Sequence, residues 1–307
     1  MAYALGIDIG GTKTAAAVVN LADGTTLGFT SMPTPAGDGA DAILNTAVVA
    51  AMTAVAAAPQ PPVHCGVGTA GVVGTGGVIE SATSTLTGWA GADVGRCISA
   101  ALHLPVAVLN DGHAAALGES RYGAGAGMSD VLVMAIGTGI GGGFVHNGRL
   151  VRGANGLAGS LGHLAVMSQR SRPCSCGRTN HVEAWACGPA MEQEYARMTG
   201  DNPRLPAIAD LARAGNPVAA GVIRTAATLI GTALAQAVNL LDPDIVVLTG
   251  GVSALFDLME APIRQALDAQ ALPGLSDVAV CATTLGSRGI MLGATSAEPI
   301  IDETRHE

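Results

Sequence analysis

Apolar positions open the chain in three short runs, Tyr3 to Ile9, Lys13 to Val19 and Thr25 to Ser31, each separated from the next by a glycine-bearing turn. Gly10-Gly11 closes the first run and Ala22-Asp23-Gly24 the second. This predicts an antiparallel meander, Asp-Gly between apolar runs being a good hairpin signal. A helix is predicted from about Gly39 to Ala58, then strands near Val63 to Val67 and Gly77 to Glu80, a helix near Ala92 to Leu102 and a strand at Val106 to Leu109. Strand and helix alternate, so this half reads as α/β.

Residues Val131 to Val151 repeat the opening in outline: a strand (Val131 to Ile136), a glycine turn, a strand (Gly143 to His146), an Asn147-Gly148 turn and a third strand. The chain therefore reads as two related halves. Mostly helical sequence follows, punctuated by Pro203, Pro206 and Pro217, then a strand at Ile245 to Leu248, a helix beginning near Ser253, a strand at Val278 to Ala282 and a last helix from Gly289 to Ala297. Two apolar stretches, Ala42 to Ala58 and Thr225 to Leu241, are long enough to suggest membrane spans. Asn45, Thr46 and Thr53 interrupt the first, and Thr228, Thr232, Gln236 and Asn239 the second, which favours buried helices.

At 307 residues the chain exceeds one comfortable hydrophobic core, so two domains are expected. With 49% apolar residues but only 3% aromatic ones, the core is built from Ala, Val, Leu and Ile. The net charge of −9 and the lack of a Lys/Arg run argue against nucleic acid as a partner. Asp8 arrives before any basic segment and apolar run of a secretory signal, so a cytoplasmic chain with reduced thiols is expected and no membrane partner. Cys65, Cys97, Cys187 and Cys281 then read as scattered packing residues.

Chemistry concentrates in a few places. His163, Cys174, Cys176 and His181 supply two imidazoles and two thiolates within nineteen residues, the set a closed, structural Zn²⁺ site favours. The alternative is two buried thiols acting as small hydrophobes beside surface histidines. In Asp8-Ile9-Gly10-Gly11-Thr12-Lys13, a carboxylate ends a strand and two glycines form a turn whose amides can reach phosphate oxygens. Thr12 and Lys13 add a hydroxyl and a charge, and Asp8 can hold Mg²⁺ directly or through water. The plain alternative is a hairpin turn; a P-loop is excluded because Thr12 stands where its lysine belongs and a strand follows.

A second glycine run, Gly137-Thr138-Gly139-Ile140-Gly141-Gly142-Gly143, matches G-x-G-x-x-G formally, but the strand after it rules out the dinucleotide fingerprint. Gly250-Gly251 follows an apolar run and opens a helix, a setting for a nucleotide near a helix N-terminus. Asn110-Asp111 stands between a strand and a helix; one of the pair can cap the helix, and Asp111 is the candidate general base for an alcohol.

These motifs, in this order and over nearly the whole chain, resemble the ROK sugar kinases. The resemblance implies the actin-like, hexokinase-type ATPase fold, built from duplicated ribonuclease H-like domains around a cleft, and ATP-dependent phosphorylation of a sugar, usually at the 6-hydroxyl. It implies that Asn110, Asp111, His163 and Glu183 touch sugar hydroxyls, with His163 also binding zinc through its other ring nitrogen, and that the chain forms a homodimer. Thr83, in the segment Ser81 to Trp89, and Ser160 join the substrate-binding set. The phosphate loops supply Asp8, Gly10, Gly11, Thr12, Lys13, Gly137, Thr138, Gly139, Gly141, Gly250 and Gly251 to ATP and Mg²⁺.

Three departures stand out. The third zinc cysteine of the family is replaced by His181, the asparagine two residues after the catalytic aspartate by His113, and a glutamate that grips hydroxyls near the anomeric carbon by Ser160. With that glutamate gone, the wording from Gly156 to His163 resembles N-acetylmannosamine kinases, which makes N-acetyl-D-mannosamine the expected substrate and glucose or another hexose the alternative. A non-catalytic sugar sensor is a further alternative. A repressor of the same family is not expected, since only seven residues precede Asp8. The expected division is residues 1–110 plus 289–307 in a smaller lobe and 111–288 in a larger one.

Overall fold

The computed structural model describes residues 2–83, 85–168 and 170–298. The chain divides into two compact units. Up to Gly127 it forms strands β1 (Tyr3–Ile9), β2 (Lys13–Asn20) and β3 (Thr26–Pro33), helix α1 (Ala40–Ala56), strands β4 (Cys65–Thr69), β5 (Val72–Val73) and β6 (Ile79–Ser81), helix α2 (Val94–Leu102), strand β7 (Val106–Asn110) and helix α3 (Asp111–Tyr122). Then come β8 (Asp130–Ile136), β9 (Ile140–His146), β10 (Arg149–Leu150), α4 (Glu183–Ala186), α5 (Gly188–Thr199), α6 (Leu205–Arg213), α7 (Pro217–Leu241), β11 (Ile245–Thr249), α8 (Phe256–Gln270), β12 (Ala279–Ala282) and α9 (Gly289–Ala294). The first unit comprises the chain to Gly127, Gly148–Ala158 and the chain from Ser287 on; the second comprises Met128–Asn147 and Gly159–Gly286.

The first unit is built on a sheet of order β3-β2-β1-β4-β7. The meander β1-β2-β3 is antiparallel, and β4 and β7 run parallel to β1. Strands β1 and β4 are buried on both faces, as parallel strands with covered faces are, which is why they read as continuous apolar runs. The core gathers Leu5, Ile7 and Ile9 of β1, Ile43 of α1, Ile98 of α2 and Trp89.

Glycines determine what covers this sheet. Gly6 and Gly66 are register partners on β1 and β4, and Gly68 follows two residues on. A Cβ at Gly6 would lie 2.5 Å from the Met291 side chain, one at Gly66 2.0 Å from the Ala294 carbonyl oxygen, and one at Gly68 2.3 Å from Ile290. Helix α9 therefore lies directly on the backbone of the sheet. It also meets α3 backbone to backbone, since a Cβ on Gly293 would fall 1.7 Å from the Ala114 carbonyl oxygen and one on Gly118 2.3 Å from that of Gly289. This packing puts α3 in the first unit, so the boundary lies beyond residue 110, where the sequence reading drew it.

The second unit repeats the plan, with strand order β9-β8-β11-β12 among its own strands, β8-β9 antiparallel and β8, β11 and β12 parallel. Each unit thus carries an antiparallel opening extended by parallel strands. Helix α7 is long and apolar enough to cross a membrane by length and composition alone. Its Ala227, Ile230, Leu234 and Val238 are instead buried in the core of this unit, where Gly231 admits α8 so closely that a Cβ would meet the Ile263 carbonyl oxygen at 2.4 Å.

Several element boundaries differ from expectation, two of them in strands that lead to the glycine turns or the core. Strand β4 starts at Cys65 rather than Val63, and β9 starts at Ile140 rather than Gly143. The second shift has a direct cause: Ile136 pairs with Ile140, so Gly137-Thr138-Gly139 alone makes the turn and Gly141 to Gly143 belong to the strand.

The glycine packing generates a paired expectation. Gly66→Ala drives a methyl group into backbone and costs on the order of 3 kcal/mol or more. In Gly141→Ala the Cβ meets nothing within 4 Å, so the change stays within about 0.5 kcal/mol. Chemical denaturation of both variants against the parent checks it, and equal midpoints would refute the steric reading.

Candidate functional site

In the first unit the carboxyl ends of β1, β4 and β7 lie side by side. Asp8 pairs with Gly68, and Thr69 with Asn110, so the two acidic motifs stand at the ends of β1 and β7 with β4 between them. Strand spacing sets their backbones about 10 Å apart. Asp8 is 8% exposed. Burial, reinforced by the negative charge of Asp111 and only partly offset by Lys13, pushes its carboxyl up to about 7. Lys13 begins β2 with an exposed side chain and is the single lysine among the 15 basic residues of the chain.

Asn110 caps α3. Its side-chain oxygen accepts the Gly112 N–H at 2.9 Å, and its Nδ2 donates to the Gly71 carbonyl at 3.0 Å. The capping role weighed from sequence therefore belongs to Asn110, which leaves Asp111 as the first residue of the helix. Asp111 accepts the same Gly112 N–H at 2.8 Å, an interaction that favours its ionised form, as does Asn110; burial outweighs both and raises its pKa.

His113 is 3% exposed and its Nε2 donates to the Ala158 carbonyl at 2.7 Å, tying α3 to the Gly148–Ala158 segment. Burial lowers its pKa, so it is a neutral residue with its proton on Nε2. No local pattern assigns this histidine a role, because its partner is a backbone oxygen 45 residues away. Thr83 is exposed, its hydroxyl 3.1 Å from that of Thr85, and Thr85 in turn covers Gly11, whose Cβ would lie 2.7 Å from its methyl group.

In the second unit Glu183 opens α4 and joins two motifs. One carboxylate oxygen accepts the Ile140 N–H at 2.9 Å, just after the Gly137-Thr138-Gly139 turn; the other accepts the Ser175 hydroxyl and the Cys174 thiol at 3.5 Å. Ser175, between the two cysteines, was not singled out from the sequence. The ligand atoms of His163, Cys174, Cys176 and His181 all lie within 4.8 Å of one another. His163 Nδ1 is 3.6 Å from Cys174 Sγ and His181 Nδ1 is 3.2 Å from Cys176 Sγ. Those separations bracket the ~3.5 Å edge of a tetrahedron with zinc-length N and S bonds, so the four residues fit one four-coordinate ion.

Ser160 is exposed ahead of the short turn Leu161–His163. That turn is held against β9, since a Cβ at Gly162 would lie 2.0 Å from the Ile140 carbonyl oxygen.

The glycines of the candidate phosphate loops fall into two groups. A Cβ at Gly139 would meet Glu183 at 2.7 Å, one at Gly10 the Lys13 carbonyl oxygen at 3.1 Å, and one at Gly250, with φ +85°, the Ile136 carbonyl oxygen at 2.4 Å. Packing within the protein accounts for these. Gly137, Gly141 and Gly251 meet nothing within 4 Å and have ordinary φ, so the fold itself makes no demand for glycine there. Gly251 begins a 3-10 turn through Leu255, and α8 starts only at Phe256, later than expected.

Residues 4–297 match the ROK family. A glucokinase of Halalkalibacterium halodurans is 31% identical over 94% of this chain and 92% of its own length. An N-acetylmannosamine kinase of Yersinia pseudotuberculosis is 32% identical over 91% of this chain and 92% of its own. The crystal structure of a ROK family glucokinase from Streptomyces griseus in complex with glucose and AMPPNP superposes with a TM-score of 0.83 at 31% identity, covering 96% of this chain and 98% of that one.

The raised Asp8 pKa has a definite sign. A carboxylate with a folded pKa near 7 and an ordinary unfolded one costs stability as pH climbs from about 4, and the full cost is reached above pH 7. Asp8→Asn therefore stabilises the ligand-free protein by on the order of 2–4 kcal/mol at pH 8, less at pH 5 and not at all near pH 3.5. Thermal unfolding at these pH values tests it; a pH-independent difference would contradict the assignment.

Proposed function

Because the chain belongs to the ROK family and is a sugar kinase, we propose that it transfers the γ-phosphate of ATP to the 6-hydroxyl of a hexose derivative, with N-acetyl-D-mannosamine as substrate. The observation that carries this reading is the position of Asp111, on the first turn of α3 beside Asn110 and within the electrostatic reach of Asp8. A carboxylate whose pKa is raised by burial is a better proton acceptor than one in water, and phosphoryl transfer asks for little beyond an aligned alcohol, a base and charge stabilisation. Asp111 accepts the proton of the 6-hydroxyl, and Asn110 fixes its helix turn.

Lys13 and the amides of the Gly10-Gly11 turn in the first unit would serve phosphate oxygens, as would the amides of Gly137-Thr138-Gly139 and Gly251 in the second. The empty space where Cβ atoms would stand at Gly137 and Gly251 suits close approach of a ligand to backbone. Asp8 would hold Mg²⁺, which when bound offsets phosphate charge and draws the Asp8 pKa down. His163, Cys174, Cys176 and His181 would hold a structural Zn²⁺, with Glu183 linking that loop to the Ile140 amide. His163 would hold the metal through Nδ1, the nitrogen that lies 3.6 Å from Cys174 Sγ, and its Nε2 would remain for a sugar hydroxyl.

Ser160 supports an N-acylated sugar, since a short side chain leaves room where the family keeps a glutamate. A glucokinase is the second reading, supported by the relatives of that name at 31% identity.

Two expectations follow. ATP consumption with Mg²⁺ is fastest on N-acetylmannosamine in a panel with N-acetylglucosamine, glucose, mannose, fructose and allose, and Asp111→Asn loses at least about a hundredfold in kcat while retaining sugar affinity. Faster turnover of glucose overturns the substrate, and normal turnover of the variant overturns the base. Mass spectrometry of the purified protein finds one zinc per chain, and Cys176→Ser weakens its retention against a chelator by more than about tenfold; unchanged retention removes Cys176 from the site.

A further inference from the structure

The second unit carries a cavity of about 510 Å³ built from none of the residues assigned to ATP, sugar or metal. Four arginines, Arg170, Arg172, Arg197 and Arg224, line it together with Glu194 and Trp185. Glu194 takes Arg170 at 2.7 Å and Arg197 at 2.8 Å and lies 3.6 Å from Arg172. Burial opposes the Glu194 charge, but the hydrogen bonds and charges of Arg197 and Arg170 prevail and bring its pKa down to about 2. One carboxylate thus serves three guanidinium groups. Arg224 stands exposed on α7 and forms no ion pair among the described residues.

Two further donors are left over. Arg172 Nη1 and Trp185 Nε1 are buried without an acceptor among the described residues. Such groups cost stability unless something supplies the acceptor. The lining therefore carries a surplus of positive charge, in a chain whose net charge is −9, while the two orphan donors lie behind it.

The surplus defines the chemistry of an occupant. Guanidinium forks favour oxyanions that accept paired hydrogen bonds, and a terminal phosphate offers three oxygens and nearly two charges. The cavity is larger than a phosphate alone, within the range of sites for small organic ligands. Arg170 and Arg172 sit 5.6 and 4.7 Å from the Trp185 ring, so that ring is already covered by guanidinium groups, which argues against a stacked base and for a sugar-sized body. Trp185 stands two residues after Glu183 in α4, so an occupant would rest against the short helix that carries the link between the metal loop and the Ile140 amide.

We propose that this cavity is a second ligand site, for a phosphomonoester of hexose-phosphate size, separate from the sites used in catalysis. The proposal does not depend on which sugar is phosphorylated, or on turnover.

Isothermal titration of the full-length, zinc-replete protein with inorganic phosphate and with glucose 6-phosphate tests it, using Arg224→Ala, Arg224→Lys and Lys13→Ala alongside the parent. Arg224→Ala weakens binding about ten- to a hundredfold, Arg224→Lys retains most of it, and Lys13→Ala leaves it in place. Tighter binding of glucose 6-phosphate than of inorganic phosphate identifies an organic phosphomonoester as the ligand; equal binding identifies free phosphate. Absence of binding to the parent, or binding that survives Arg224→Ala and disappears in Lys13→Ala, overturns the proposal.

Discussion

Seating a helix directly on the backbone of a sheet is the constraint on which the first unit depends. It is possible only because Gly6, Gly66 and Gly68 lack side chains on the covered face, so that α9 approaches within contact of the strands themselves. α9 in turn receives α3 through Gly118 and Gly293, and α3 begins with Asp111. The position of the candidate base is thereby fixed through two successive backbone contacts, with no long side chain whose rotamers could loosen it. These glycines leave the unfolded chain more entropy to lose on folding, and that cost is offset by positional definition at the acid.

The same geometry creates the electrostatic tension at the strand ends. Parallel pairing of β4 with both β1 and β7 carries Asp8 and Asp111 to one edge of one sheet, where each feels burial and Asp8 also feels the other's charge. Two carboxylates held in this way are unfavourable in the empty protein and become favourable when a cation arrives. In the second unit the carboxylate is handled oppositely: Glu183 is satisfied by an amide, a hydroxyl and a thiol, and so acts as a fixed strut between the metal loop and the glycine turn.

Much of this was legible in the residues. The two meanders, the last helix, the metal quartet and the Asn110-Asp111 corner all follow from apolar runs, turn residues and ligand spacing, because these are local signals. What escaped was set by distant partners. Nothing near His113 announces the Ala158 carbonyl it holds, and nothing near Gly66 announces Ala294. The second glycine run was read as one loop because its composition is uniform, whereas cross-strand pairing of Ile136 with Ile140 divides it into a three-residue turn and a strand. The arginine cavity joins residues from 168 to 226 that share no motif, so only the fold assembles them.

Lys13 gives one of these features a practical meaning. A protein with a single lysine, exposed at the start of β2 beside the first glycine turn, presents a single ε-amine to acylating and alkylating chemistry. Amine-directed labels, crosslinkers and cellular acyl donors that spread over many sites on an ordinary surface have here one side-chain target, and it stands beside the first glycine turn. Arginine carries every other positive side-chain charge at neutral pH apart from histidine, so no second ε-amine competes with Lys13.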